Sequence, residues 1–238
     1  ARQGVAAAQF NLGLMYRNGL GVRQDYKKAF EWCAKAAEQR VAVAQYDLGL
    51  MYYYGYGVPQ DYKNAFEWLT KAAEQGLAKA QYNIGLLYAS GRGVPLDQKK
   101  AAEWYAKAAE QGFADAQHNL GLMYDSGLGI PQNHKKAAEL YAKAAGQGFA
   151  DSQNNLGIMY DRGRGVPQDY KKAFELYAKA AEQGDADAQC NLGIMYLNGH
   201  GVRRDDVQAY KWFMTSAAQG LESARENRDI LIKYMTPA

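Results

Sequence analysis

The residue types that most often carry out chemistry in proteins are scattered along this chain of 238 residues. His118, His134 and His200 are predicted to lie on a helix surface, at a helix start and at a loop tip, respectively. A histidine-based site needs partners at a fixed spacing, and neither His-Glu-x-x-His nor Cys-x-x-Cys occurs in the sequence. We therefore predict that the histidines are surface residues, that the chain is not an enzyme, and that it binds no metal ion or other cofactor.

The two cysteines and a recurring glycine pair could also support chemistry. Cys33 and Cys190 occupy different places in an extended repeat pattern, which makes a disulfide between them geometrically implausible. Both are predicted to be inert thiols, with Cys190 the more accessible of the two. The sequence Gly-x-Gly could cradle a phosphate, but no strand precedes it and it occurs six times at a fixed period. It is therefore interpreted as part of the architecture.

The charge balance gives no sign of a polyanionic partner. The chain has 28 basic and 25 acidic residues, a net charge of +3, so no nucleic-acid partner is expected. Lysine pairs interspersed with glutamates are interpreted as a solvated face of the predicted second helices: Lys27/Lys28, Lys99/Lys100, Lys135/Lys136 and Lys171/Lys172. No run approaches the roughly 18 apolar residues of a membrane-spanning helix, so no membrane insertion is expected.

A repeat of 36 residues defines the elements that must position any site. Six copies follow one another without insertion or deletion, at residues 5–40, 41–76, 77–112, 113–148, 149–184 and 185–220. A fixed period of this size is typical of a solenoid, in which each repeat covers the apolar face of its neighbour. The sequence therefore predicts a single all-α domain over residues 1–238, with a capping helix at 221–235.

Each repeat is predicted to contain two helices joined by the Gly-x-Gly loop. Small and apolar residues at helical spacing mark the first helix, and its central glycine, such as Gly85, is expected to allow close helix contact. A capping residue begins the second helix: Asp25, Asp61, Asp97, Asn133, Asp169 or Asp205. A left-handed glycine ends it, except that Arg40 takes this place in the first repeat and is predicted to adopt the same conformation.

These motifs resemble Sel1-like repeats, which are relatives of the tetratricopeptide repeat. The match rests on Ala-x-x-Asn-Leu-Gly-x-Met-Tyr, Gly-x-Gly-Val, Asp-Tyr and Ala-Ala-Glu-Gln-Gly at fixed offsets along the chain. The resemblance implies helix pairs stacked into a right-handed superhelix, with the first helices lining a concave face, and a scaffold or adaptor role. It favours a bacterial periplasmic or secreted protein, although the sequence leaves the localisation unknown. Some relatives have one disulfide in each repeat, and this chain lacks that pairing.

The two ends of the chain depart from the repeat pattern. Residues 1–4 resemble the end of an earlier repeat, so we expect that an upstream segment was removed and that apolar residues of the first helix are unusually exposed. These residues are Val5, Leu12 and Met15. At the other end, Arg228 and Asp229 replace core residues of the repeat and predict a polar cap.

Positions that vary between repeats are the candidates for partner binding. By analogy with tetratricopeptide arrays, they are expected to line the concave face as an aromatic half (Phe10, Tyr46, Tyr53, Tyr54, Tyr82) followed by His118 and an acidic half (Asp115, Asp125, Asp151, Asp161). The predicted partner is a protein or peptide with an aromatic or apolar anchor and a basic end. Two alternatives stay open: a glycan or peptidoglycan that binds through the tyrosines, and a cell-envelope enzyme.

Overall fold

The computed structural model describes residues 2–235, and these form thirteen α-helices without any β-strand. The helices are α1 (Arg2–Asn18), α2 (Tyr26–Glu38), α3 (Ala42–Tyr54), α4 (Tyr62–Glu74), α5 (Ala78–Ser90), α6 (Gln98–Glu110), α7 (Ala114–Ser126), α8 (His134–Gly146), α9 (Ala150–Arg162), α10 (Tyr170–Glu182), α11 (Ala186–Asn198), α12 (Asp206–Ala218) and α13 (Glu222–Met235). No helix in this described range is long and apolar enough to cross a membrane.

The chain divides into two compact units, Ala1–Ala116 and Gln117–Ala238. In the first unit, each helix from α1 to α6 packs against the next one along the chain. In the second unit, the same is true from α8 to α13. This succession of packed neighbours at a 36-residue period confirms the predicted all-α solenoid fold.

Glycines in the first helices allow the two helices of a repeat to approach closely. A Cβ atom added at Gly85 would lie 2.5 Å from the ring of Tyr105, and one added at Gly157 would lie 2.7 Å from Tyr177. Larger side chains on the second helix therefore fill the space that glycine leaves open. The buried residues at this second-helix position are Cys33, Leu69, Tyr105, Tyr141, Tyr177 and Phe213.

The predicted helix caps are all present. Asp61 accepts hydrogen bonds from the backbone N–H groups of Lys63 and Asn64 at the start of α4. The equivalent caps of the other second helices are Asp25, Asp97, Asn133, Asp169 and Asp205. The predicted left-handed end is also confirmed, because Arg40 has φ 62° where Gly76 has φ 89°.

The second glycine of the loop is needed for two reasons: its φ is positive, and another backbone segment packs closely against it. A Cβ atom at Gly57 would overlap the backbone carbonyl of Tyr26, at the start of the preceding second helix. In the second unit, Gly201 makes the same close approach to Tyr170. The loop of one repeat is thus held against the second helix of the repeat before it.

Large apolar side chains are exposed at both ends of the described chain. Met15 is 37% exposed, whereas its equivalent Met51 is 2% exposed, which confirms the predicted exposure of this side chain. The predicted polar cap is wrong in part. Arg228 does pair with Asp229 at 2.7 Å, but Tyr234 on the same helix is 82% exposed and Ile230 is also exposed. The capping helix α13 therefore has a mixed surface.

Candidate functional site

Five tyrosine rings in the first unit form a continuous row, called here the tyrosine series. In order they are Tyr26, Tyr56, Tyr54, Tyr53 and Tyr62, and neighbouring ring centroids are 4.9 to 5.4 Å apart. The first three rings are stacked nearly parallel, while the last two contacts are edge-to-face. Tyr54 is 55% exposed, and Tyr26 and Tyr56 are also exposed.

Three kinds of element position these rings. Tyr53 and Tyr54 end α3, Tyr56 is the middle residue of Gly-x-Gly, and Tyr26 and Tyr62 begin second helices. The close approach of the loop to α2 brings Tyr56 onto Tyr26. The series is therefore held by the backbone contact between consecutive repeats.

Arg92 lies at the Tyr62 end of the tyrosine series. It is the middle residue of the next Gly-x-Gly loop, and its guanidinium carbon lies 5.6 Å from the ring centroid of Tyr62. Its Nη1 donates a 2.6 Å hydrogen bond to the hydroxyl oxygen of Tyr53. The cation is thus both stacked on an aromatic ring and fixed by a hydrogen bond.

One aliphatic position of the first helices lies next to the tyrosine series. Leu86 is 36% exposed and Leu50 is partly exposed, and both line a shallow hollow with Tyr53, Tyr54 and Asn83. Every repeat has leucine or isoleucine at this position, so it was not among the variable positions predicted to bind a partner. Helix geometry could have revealed it. Leu86 lies two residues after the buried core residue Ile84, which places it about 200° around the helix axis.

Three predicted aromatic site residues are used mainly for packing within the first unit. Phe10 is half-buried against the cores of the first two repeats. Tyr46 is half-buried, and its hydroxyl accepts a hydrogen bond from Asn83. Tyr82 lies 5.2 Å from Phe113, measured between ring centroids. Of the five predicted aromatic residues, only Tyr53 and Tyr54 belong to the tyrosine series.

His118 is not a surface residue, contrary to the sequence-based prediction. It is 8% exposed, its Nδ1 lies 2.9 Å from Ser152 Oγ, and its ring lies 5.1 Å from that of Phe149. The following repeat covers this position of the first helix. Cys190 occupies the equivalent position and is also buried, so the prediction that it is accessible is wrong as well.

The predicted acidic residues occupy different environments. Asp125 is neutralised, because Arg164 lies 2.8 Å from one carboxylate oxygen and His134 lies 2.9 Å from the other. Asp151 is exposed, as is Asp187 at the equivalent position of the next repeat. Asp161 is half-exposed, and so is Asp115, which belongs to the first unit. The pairing could not be predicted from the sequence, because Arg164 comes from a loop one period later.

The lysine pairs are exposed, as predicted, and their second members lie near tyrosines of the first helices. Lys100 Nζ is 5.3 Å from the ring centroid of Tyr88, and Lys172 makes the same contact with Tyr160. Within the described residues, no group of three or more His, Cys, Asp or Glu side chains could hold a metal ion.

Comparison with known proteins identifies the repeat. Six consecutive segments match the Sel1 repeat, at residues 6–41, 42–77, 78–113, 114–149, 150–185 and 186–221. The chain belongs to the Sel1 repeat family. Sel1 repeat proteins are generally protein-interaction scaffolds and are typically non-catalytic.

Solved Sel1 repeat structures resemble this one. The protective antigen c5321, present in uropathogenic Escherichia coli strains, is 40% identical with a TM-score of 0.94, and the match covers 100% of this chain and 50% of c5321. This chain therefore spans half the length of that relative. A Sel1 repeat protein from Oxalobacter formigenes is 33% identical with a TM-score of 0.84, over 96% of this chain and 89% of that one. No curated protein matches the sequence.

Proposed function

We propose that this Sel1 repeat chain is a non-catalytic scaffold that binds a protein or peptide along its first helices. In the first unit, the proposed contact surface is formed by Leu50, Tyr54 and Leu86. The observation that carries the proposal is the exposure of these apolar and aromatic side chains side by side, since such patches mark interaction sites on soluble proteins.

The arrangement of the tyrosine rings favours a polypeptide over a glycan. A sugar ring stacks on an open aromatic face, whereas Tyr56 lies between Tyr26 and Tyr54 at centroid distances of 5.3 and 5.4 Å. Both faces of Tyr56 are therefore occupied, which leaves its edge and hydroxyl group as the exposed parts. These suit the apolar side chains and backbone carbonyls of a polypeptide.

In the second unit, we propose that exposed carboxylates contact basic residues of the partner. Asp151 and Asp187 are exposed, and Asp161 is half-exposed. Asp125 contributes little to this contact because Arg164 and His134 already pair with it.

Affinity capture with charged variants tests the scaffold function. The purified chain is used as bait in extracts of its source cells, and captured proteins are quantified by mass spectrometry. Leu86→Asp places a carboxylate in the proposed surface. Val207→Asp is the matched control, because Val207 is an exposed aliphatic residue on α12 in the other unit. Circular dichroism checks that both variants keep their helical content.

We expect the wild type and Val207→Asp to capture at least one protein in common. Leu86→Asp should fail to capture that protein. Equal capture by all three forms would contradict a binding role for this surface. Retention of the wild type on isolated peptidoglycan, with no such protein, would favour the glycan alternative.

A further inference from the structure

We propose that the tyrosine series and Arg92 bind an extended, proline-containing peptide segment that carries a carboxylate. This inference rests on the scaffold function proposed above and names the chemistry of the partner. It places recognition at the edge formed by the loops and helix ends.

The charge of Arg92 provides the first reason. Arg92 and Arg164 occupy the same position in their repeats, and each reaches the residue 39 positions earlier in the sequence. Arg164 pairs with the carboxylate of Asp125 at 2.8 Å, whereas Arg92 donates a hydrogen bond to the neutral hydroxyl of Tyr53. No carboxylate of the described residues pairs with Arg92. Its positive charge is therefore fixed in position, exposed and not neutralised within the chain.

A carboxylate is the group that such an arginine binds best. The guanidinium has five N–H donors in a planar fork, and the contact with Tyr53 uses one of them. The remaining donors can form charge-assisted hydrogen bonds to an incoming Asp or Glu side chain. Stacking on Tyr62 already restrains the guanidinium, so binding loses little side-chain freedom.

The shape of the tyrosine series provides the second reason. Five rings at successive centroid separations of 4.9 to 5.4 Å form one continuous aromatic surface. An extended polyproline II segment rises about 3.1 Å per residue and keeps its carbonyls free to accept hydrogen bonds from tyrosine hydroxyls. Aromatic-lined surfaces recognise such segments because they are already ordered before binding.

Calorimetric titration of the full chain with synthetic peptides tests this inference. The probe is Ac-Pro-Pro-Leu-Pro-Pro-Leu-Pro-Pro-Glu-NH2, with a second version that has Glu at the other end. The matched peptides replace Glu by Gln, or replace every Pro and Leu by Gly and Ser. Chitohexaose serves as the glycan probe.

We expect one of the two Glu peptides to bind about five- to tenfold more tightly than its Gln form, because the charge-assisted hydrogen bond of Glu is stronger than the neutral one that Gln still accepts. Arg92→Gln should remove this preference, and Arg164→Gln should leave it unchanged. Tyr53→Asp should also remove it, because it gives Arg92 the carboxylate that Arg164 already has. Tyr54→Ala with Tyr56→Ala should weaken both proline peptides about tenfold.

Three results would overturn the inference: no binding of any proline peptide, equal binding of the Gly/Ser peptide, or preferential binding of chitohexaose. Unchanged Glu preference in Arg92→Gln would overturn the assignment of the carboxylate site. If the peptides fail but Leu86→Asp still loses a captured protein, the scaffold function stands and only this inference is wrong.

Discussion

The left-handed arginine in the first repeat allows a quantitative test of the repeat architecture. Arg40 has φ 62° at the end of α2, whereas glycine holds the equivalent place at Gly76, with φ 89°. The left-handed conformation destabilises a residue with a Cβ atom by roughly 1–2 kcal/mol. Glycine avoids this cost, but the greater flexibility of its unfolded chain offsets about 0.5–1 kcal/mol of the gain. Arg40→Gly should therefore stabilise the protein by about 0.5–1 kcal/mol.

The reciprocal substitution isolates the backbone contribution. A Cβ atom at Gly76 would meet no atom within 4 Å, so Gly76→Arg changes the backbone energy without a steric clash. It should destabilise by about the same amount, roughly 0.5–1 kcal/mol. The double variant should return close to the wild type, because each substitution changes mainly the backbone energy at its own position.

Thermal unfolding followed by circular dichroism at 222 nm measures these changes. For a chain of this size, 1 kcal/mol corresponds to a shift of about 2–4 °C in Tm. Arg40→Ala is the control for the loss of charge, and it should not stabilise because alanine keeps the Cβ atom. Equal stabilisation by Arg40→Ala and Arg40→Gly would refute the conformational explanation.

Three further predictions concern the core, the buried carboxylate and the thiols. Gly85→Ala should destabilise the protein by about 1–3 kcal/mol, because its Cβ would lie 2.5 Å from Tyr105. Gly146→Ala should stabilise it by about 0.5 kcal/mol, because a Cβ there meets nothing within 4 Å. Urea unfolding that ranks the two variants in the opposite order would contradict the packing role of Gly85. Burial raises the pKa of Asp47 above its ordinary value of 3.8 despite the neighbouring Arg17. The free energy of unfolding of the wild type, relative to that of Asp47→Asn, should therefore rise as the pH falls from the raised pKa to 3.8. A difference that is independent of pH would disprove this. Burial raises the pKa of Cys33 to about 12 and also raises the pKa of Cys190. Neither thiol should therefore react with Ellman's reagent at pH 8 until denaturant is added. Rapid labelling of the native chain would show that the thiols are not buried.

Local features of the fold could be predicted from the sequence because the chain repeats its own rules. The caps such as Asp61, the left-handed Arg40 and the close contact at Gly85 each depend on residues near in sequence or on one repeated helix pair. The role of Gly57 could not be predicted in full. Its contact with the carbonyl of Tyr26 joins two repeats, and only their packing reveals it.

The candidate site was predicted less completely, because variation between repeats does not measure exposure. His118 varies in type but is covered by Phe149 and Ser152 of the following repeat. Leu86 belongs to a position that is always aliphatic and yet is partly exposed. Periodicity identifies which residues share a face, whereas the side chains of the next repeat decide which of those faces remain open.

Site-specific photo-crosslinking tests the central claim most directly, since it reports which molecule touches the proposed surface in the cell. A photoreactive phenylalanine analogue replaces Leu86 in one form of the chain and Val207 in the other, and both are expressed in the source cells and irradiated. The scaffold function predicts a discrete crosslinked protein from position 86 that is absent from position 207. Crosslinking at position 86 that is no stronger than at position 207, or that yields only glycan adducts, would contradict it.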